Sequence, residues 1–519
     1  ICSIIKTIKI MRKSFKLTIL AACVLGLAGC GDFGDINSSP NNISVPDTRY
    51  LLLGAEQYGG YFNWSDNYNP YAALYAQYIS ERKNVQQTKF GILNGTSSTI
   101  YRIAMQNCVS IINMNKDPAQ KNLSSVKNLS SSNKNQIAVA TTLKAFYMMH
   151  LADTYGSMPY SDAFKAKSEG NTKPKYDTVK DIYTALDTEL NEVYAMFEDG
   201  NLSSRYDVIY RGDINKWKKL NASIRMMMAI KLSDVDEATG KTRFLKAYND
   251  GGIVANEDAM IRPYLQEDAA ANPLYINIYV DGRVDYAPSS TLINNLLALK
   301  DPRVIAYATP NKAGDFNGWV WGHTNAQIPQ DTEVFSEFAK RFKTQNASFC
   351  VISPTYILSL EAEAAYRGWI AADYKTLYEE SIKKSFEYYD IKNLPTTGLS
   401  AATAGLLQAN RTVSTYLEQD GVKLAGDKSV DDLHKIVMQR WLGNFMMDAT
   451  QSWCDWRRFN YPELKVGDAG SVTLSVIPER LSQKTDDYEA NMDNYKAAIQ
   501  LQGEDKVTTR VWWDTTANH

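Results

Sequence analysis

Histidine is scarce in this chain. Four occur in 519 residues (His150, His323, His434 and His519) and no two stand at the spacing of paired ligands. Zinc sites and Ser/His or Cys/His nucleophile pairs both need an imidazole beside a partner, and the sequence pairs none. It also has no HExxH, GxSxG or CxxC. Cysteine is little better represented. Of six, Cys2, Cys23 and Cys30 fall in the first thirty residues, which leaves Cys108, Cys350 and Cys454. Three widely spaced thiols make no disulfide framework, so buried structural thiols are expected. There is no basic excess either: 56 Lys+Arg face 58 Asp+Glu. Setting residues 1–30 aside removes Lys6, Lys9, Arg12, Lys13 and Lys16 and no acid, leaving 51 against 58, a net charge of −7. Nucleic acid, which demands a clustered basic face, is excluded as a partner. Beyond residue 30 no apolar run is long enough to span a bilayer. No Pro/Ser/Gly-rich linker divides the chain after residue 50, and the stretch 121–135 is expected as a loop between helices. One large body is expected.

Several short matches carry no chemistry. Gly240-Lys241-Thr242 imitates the end of a phosphate loop, but Val235 stands where its first glycine belongs, so a surface loop is expected. Arg211-Gly212-Asp213 is better explained by Asp213 as a helix cap. Asp199, Asn201 and Ser203 lack the later Gly and Glu of a calcium loop and read as a turn. No metal site and no cofactor is expected. The carboxylates are too numerous and scattered to nominate a catalytic pair, and the chain is expected not to be an enzyme.

The N-terminal region speaks about location. Met11-Arg12-Lys13-Ser14-Phe15-Lys16 is a basic start, and residues 17–27 form an uncharged, mostly apolar core. That is too short for a permanent span and has the size and flanks of a secretory h-region. Ala28 and Gly29 suit a peptidase, and Cys30 at the cut point resembles a bacterial lipobox. Residues 1–10 are then expected to lie upstream of the start, 11–29 to be a signal, and Cys30 to carry lipid.

The body is predicted to be mostly α. Val179, Ile182, Tyr183, Leu186, Leu190, Val193, Tyr194 and Phe197 recur at helical spacing behind a cap at Asp177 or Thr178. Further starts are predicted at Asp213, at Ser353-Pro354, at Asp373 and at Ser429 with Asp432. Paired amphipathic helices predict a scaffold of tetratricopeptide-like hairpins, although no 34-residue repeat is visible. Between about 251 and 349 Pro, Gly, Asn and aromatics gather without a sustained helical period. Loops and a few short strands are expected there, in an insert that faces ligand.

Blocks spread along the chain resemble one family. They are residues 35–42 (DINSSPNN), 151–163 (LADTYGSMPYSDA), 217–226 (WKKLNASIRM), 301–303 (DPR), 361–369 (EAEAAYRGW), 439–441 (QRW), 453–462 (WCDWRRFNYP), 477–480 (IPER) and 511–514 (VWWD). In this order they resemble the SusD/RagB-type outer-membrane lipoproteins of Bacteroidetes. Most read as scaffold. Arg457 and Arg458 are expected to satisfy buried carbonyls or carboxylates with Trp453 and Trp456 packed beside them, and Asp153 and Tyr155 to fix a turn after a helix ending near Leu151.

The resemblance implies a non-catalytic surface protein, lipid-anchored in the outer membrane. Such a protein captures oligosaccharide, or peptide, and passes it to a SusC-type TonB-dependent transporter. A lipid-anchored glycoside hydrolase and a structural lid of the transporter are the alternatives. A sugar ring lays its C–H face on an aromatic ring, a contact worth on the order of 1 kcal/mol beyond burial. Aromatics in polar, Gly/Asn-rich surroundings are therefore the candidate ligand contacts: Tyr61, Trp64 and Tyr68; Trp319 and Trp321; and Tyr279 and Tyr286, flanking Asp281-Gly282-Arg283. Alternation in Trp319-Val320-Trp321 places both indoles on one side of a strand.

Overall fold

A computed structural model describes residues 46–58, 70–83, 99–329, 331–466, 476–482 and 488–515. Cys30, Tyr61, Trp64 and Tyr68 lie outside the described residues. The helices of nine residues or more are α1 (Thr48–Glu56), α2 (Gln106–Lys116), α3 (Asn133–Tyr155), α4 (Val179–Tyr194), α5 (Ile214–Ile230), α6 (Glu237–Asp250), α7 (Ser290–Ala298), α8 (Pro354–Tyr366), α9 (Tyr374–Tyr389), α10 (Val430–Gly443), α11 (Ala449–Phe459) and α12 (Met492–Gln502). The predicted starts hold. Thr178 accepts from the Asp181 amide, Asp213 from Asn215 and Lys216, Ser353 from Tyr356, Asp373 from Lys375 and Thr376, and Ser429 from Asp432. Each such cap contributes about 1 kcal/mol by giving an orphan N–H a partner.

The helices pack as neighbouring hairpins: α3 with α4, α5 with α6, and α8 with α9, while α5 and α10 both lie against α8. α3 is buried on almost every side, from Asn135 to Tyr155, so it is a core helix rather than a surface one. Gly240-Lys241-Thr242, expected as a surface loop, lies within α6. A Cβ on Gly240 would stand 2.9 Å from the Trp369 ring and 3.0 Å from the Ala229 carbonyl, so the glycine serves close packing.

The residues 251–349 hold four of the expected short strands, two of them paired with strands that lie at or beyond the ends of this region. β1 (Ile79–Glu81) pairs antiparallel with β3 (Tyr286–Pro288), β2 (Met260–Arg262) with β6 (Phe349–Ile352), and β4 (Ala308–Thr309) with β5 (Glu337–Phe338). They also hold α7, capped by Ser289, where no helix was expected. At nine residues it is too short for its period to stand out of the surrounding irregular sequence. The stretch 121–135 likewise contains one helical turn, Ser124–Lys127, ahead of α3.

Buried charge knits the helices. α3 runs four residues past Leu151, so Asp153 does not fix a turn. Its carboxylate accepts from Lys231 Nζ (2.5 Å), the Tyr183 hydroxyl (2.5 Å) and Trp513 Nε1 (3.0 Å). Burial would push that carboxyl up, but the Lys231 ammonium and the donated hydrogen bonds hold it below its usual range. Arg457 donates to the carbonyls of Asp153 (2.8 Å) and Glu479 (2.6 Å) between the rings of Trp453 and Trp513. Arg458 reaches Glu363 and Asp455. Both arginines thus take the scaffold role their sequence suggested. Cys108, Cys350 and Cys454 are free and buried.

Candidate ligand-binding face

The exposed aromatic surface of the 251–349 region starts at an asparagine. Asn272 Oδ1 accepts from the amides of Leu274 (2.8 Å) and Tyr275 (3.2 Å), and Pro273 fills the first helical position. The turn runs on through a wider coil, Ile276–Val280. Here Asn277 is fully buried. Its amide donates to Asp285 Oδ2 (2.8 Å), its side-chain oxygen accepts from the Asp285 amide (3.2 Å), and its carbonyl from the Arg283 amide (2.9 Å). Arg283 closes the loop through an ion pair to Asp285 (2.8 Å). Gly282 (φ 63°) and Val284 (φ 47°) both take the left-handed conformation. That is free for glycine and strained for a β-branched residue, so the surrounding bonds over-determine the loop.

This frame carries Tyr279 and Val280 outward, 56% and 59% exposed. Tyr275 lies one turn earlier, its ring 5.3 Å from that of Tyr279 at 45°. Sequence reasoning missed Tyr275, although its four-residue spacing from Tyr279 was the available signal. Arg262 lies 4.9 Å over the Tyr264 ring and donates to the Gln57 carbonyl, and Leu265 next along is half exposed. The chain leaving α1 toward residues 59–69 and the chain leaving β1 toward 84–98 are thus both tied to this region. The first tie is at Arg262, the second at Asp285, whose carbonyl accepts from the Arg82 amide.

Three other expected contacts face inward. Tyr286, Trp319 and Trp321 are 5%, 1% and 3% exposed. Trp319 packs against Phe335 (4.6 Å) and under the Arg82 guanidinium (5.0 Å), with Nε1 donating to His323 Nε2. Trp321 Nε1 donates to the Leu74 carbonyl (3.1 Å). Tyr286 sits on β3 opposite Glu81. Val320 between the indoles is exposed, so the two rings do share a side, but the segment forms only an isolated bridge at Trp319 rather than the expected strand, and the indoles point into the body. Gly/Asn-rich surroundings mark irregular backbone; they do not tell which side of it meets the core. Beside these rings, burial would raise the Glu337 carboxyl, but Lys343 (2.9 Å) and Arg82 (3.4 Å) hold it down.

Among the described residues, Glu479 and Glu56 are each raised with a second carboxyl as neighbour. Glu479, beside Asp514, is pushed up to about 8 by burial and by that neighbour. Glu56 is raised by burial and by Asp207. A groove of about 470 Å³ between α4 and α6 is lined by Asp187, Asn191, Thr239, Thr242, Arg243 and Lys246, and carries no aromatic ring. Among the described residues no three His, Cys, Asp or Glu side chains gather as a metal site, and no helix is long and apolar enough to cross a membrane.

The fold is thus a helical scaffold of paired hairpins with an irregular insert that carries the exposed aromatic rings. Residues 40–483 match the SusD-like family, described as starch-binding and associating with the outer membrane, and the chain belongs to that family. No curated protein matches it. Among solved structures it is similar to a chitin-binding protein, at 26% identity and a TM-score of 0.74, over 91% of this chain and 100% of that one. A chitin-binding SusD homologue from Flavobacterium johnsoniae shares the fold at 20% identity and a TM-score of 0.70, over 91% and 97%. So does a SusD homologue from Bacteroides fragilis, at 20% and 0.73, over 91% and 100%.

Proposed function

We propose that this protein captures oligosaccharide at the outer-membrane surface without cleaving it and hands it to a SusC-type TonB-dependent transporter. Cys30 carries the lipid that holds it there. The observation that carries this reading is the Tyr275–Tyr279 pair. Two rings, one more than half exposed, stand on a loop locked by Asn277 and Asp285. A preorganised aromatic surface loses little entropy when a sugar settles on it, and the hydroxyls of the sugar are read by nearby polar groups and water. Membership of a family described as starch-binding supports a glycan ligand, and so does the likeness to a chitin-binding protein at 26% identity. Tyr61, Trp64 and Tyr68 remain proposed contacts. Tethering raises the local concentration of loaded protein beside the transporter, so modest affinity suffices.

Calorimetry on the chain from Gly31 onward, with chitin and starch oligosaccharides, tests the reading. Tyr279→Ala is expected to weaken binding about fivefold, the equivalent of one stacked ring. Unchanged affinity in that variant would remove the site, and shortened sugars released by the pure protein would replace capture with hydrolysis. A chain that binds neither glycan but co-purifies with the transporter would favour the lid.

A further inference from the structure

A second aromatic surface lies elsewhere in the fold, where three segments meet. Thr48 Oγ1 donates to the Ser125 carbonyl (3.2 Å), Asn128 Nδ2 to Asp47 Oδ2 (3.4 Å), and the Ser203 amide to the Leu129 carbonyl (2.8 Å). On this junction Tyr50 and Tyr206 meet edge to face, with centroids 5.5 Å apart at 82°. Tyr50 is 55% exposed. Arg49 lies over both rings, 5.5 and 5.2 Å from their centroids, and Arg205 lies 5.7 Å from that of Tyr206. The two cations differ in what they can do. Arg49 is locked by a fork of bonds to Asp47, Nε to Oδ1 at 3.0 Å and Nη2 to Oδ2 at 2.7 Å. Asp47 is itself fixed as the α1 cap. Arg205 is exposed and forms no ion pair among the described residues. Neither phenol hydroxyl is engaged by a described protein group.

We propose that this junction is a second, independent glycan site selective for acidic saccharides such as uronates. The C–H face of one ring rests on Tyr50, and the carboxylate of that or the next sugar takes the planar fork of Arg205. The phenol hydroxyls of Tyr50 and Tyr206 are left for ring hydroxyls. Arg49 is the positioning residue: pinned by Asp47, it sets the angle between the two rings. A neutral glycan gains only the stacking. An acidic one gains a charge-assisted, salt-sensitive contact as well.

The test is calorimetry on the chain from Gly31 onward with a galacturonate tetrasaccharide and with maltotetraose, at low and high salt, alongside melting curves. The wild type is expected to bind the acidic sugar, more weakly at high salt. Tyr50→Ala and Arg205→Ala should each weaken it by about five- to tenfold without moving the melting temperature. Arg205→Lys, which keeps the charge but not the fork, should fall between. Tyr279→Ala should leave this binding intact, which separates failure here from failure of the face described above. If Tyr50→Ala proves unstable, Arg205→Ala and the salt dependence decide. The proposal is overturned if the wild type ignores the acidic sugar, if both variants bind as well as wild type, if Tyr279→Ala abolishes the binding, or if the wild type sediments with anionic phospholipid vesicles and not with the saccharide.

Discussion

Replacing Glu363 by Gln asks how much of the scaffold rests on one buried carboxylate. Glu363 lies on α8 with no exposed surface. It accepts from Arg458 Nη2 (2.5 Å) on α11 and Arg367 Nε (3.0 Å) just past its own helix, and forms an ion pair with Arg440 Nη2 (2.8 Å) on α10. Asp455 is the second anion, 3.0 Å from Arg440 Nη1 and 3.2 Å from Arg458 Nη1. Two buried guanidiniums are thus balanced by two buried carboxylates. Glutamine keeps the volume and one acceptor but removes a charge, leaving both cations to share Asp455. Breaking a buried pair from one side costs about 3–5 kcal/mol, because the remaining charge cannot be rehydrated. The Arg367 contact, partly in water, adds at most about 1 kcal/mol. Urea unfolding followed by circular dichroism should show a midpoint displaced by that amount with an unchanged slope. Glu363→Leu combined with Arg458→Met, which removes both charges, should recover most of the loss. A Glu363→Gln loss below about 1 kcal/mol, or a double variant no better than the single one, would refute the reasoning. The sign with pH follows from the same geometry. Burial alone would raise the Glu363 carboxyl, but Arg458, Arg440 and Arg367 hold it well below the ordinary range. Its contribution is therefore present above the unfolded-state value and lost only as pH falls through the lower folded one.

Other expectations are as direct. Trp321→Ala should lower stability by about 3–5 kcal/mol, the cost of an emptied buried ring, yet leave glycan affinity unchanged if Tyr279 is the contact; calorimetry beside a melting curve separates the two. Burial lifts the Glu361 carboxyl to about 7. Its folded-state proton therefore adds stability in full below the unfolded value, and that stability, on the order of 3 kcal/mol, is lost as pH rises through about 7. Glu361→Gln should flatten the slope of stability between pH 4 and 8, roughly the range set by ordinary carboxyl and raised values; an unchanged slope would contradict it. The buried thiols Cys350 and Cys454 are both raised to about 12, and Cys108 is raised as well. Ellman's reagent should label none of them in the folded chain from Gly31 and all of them in urea.

Much of the scaffold was legible because it is written locally. A cap and its amide are three residues apart, and a helical face repeats within a turn, so Thr178, Asp213, Ser353, Asp373 and Ser429 announced their helices. The arginine-rich end of α11 was legible as scaffold for a related reason, since buried guanidiniums demand partners. Scaffold contacts between distant elements were less so. Asp153 looked like a turn residue because its partners Lys231 and Trp513 are 78 and 360 residues away. Gly240 looked like a loop because the ring that requires it, Trp369, is on another element.

The sequence by itself determined the family, the helix starts and the region in which irregular backbone gathers. Tertiary structure alone decided which aromatic rings in that region meet water. Trp319, Trp321, Tyr286 and Tyr279 share the same kind of polar neighbourhood. Three are buried against partners elsewhere in the chain, and of the four only Tyr279 is carried outward beside the Asn277–Asp285 lock. Composition marks where a chain is irregular, but exposure belongs to the packed surface, and no local pattern encodes it.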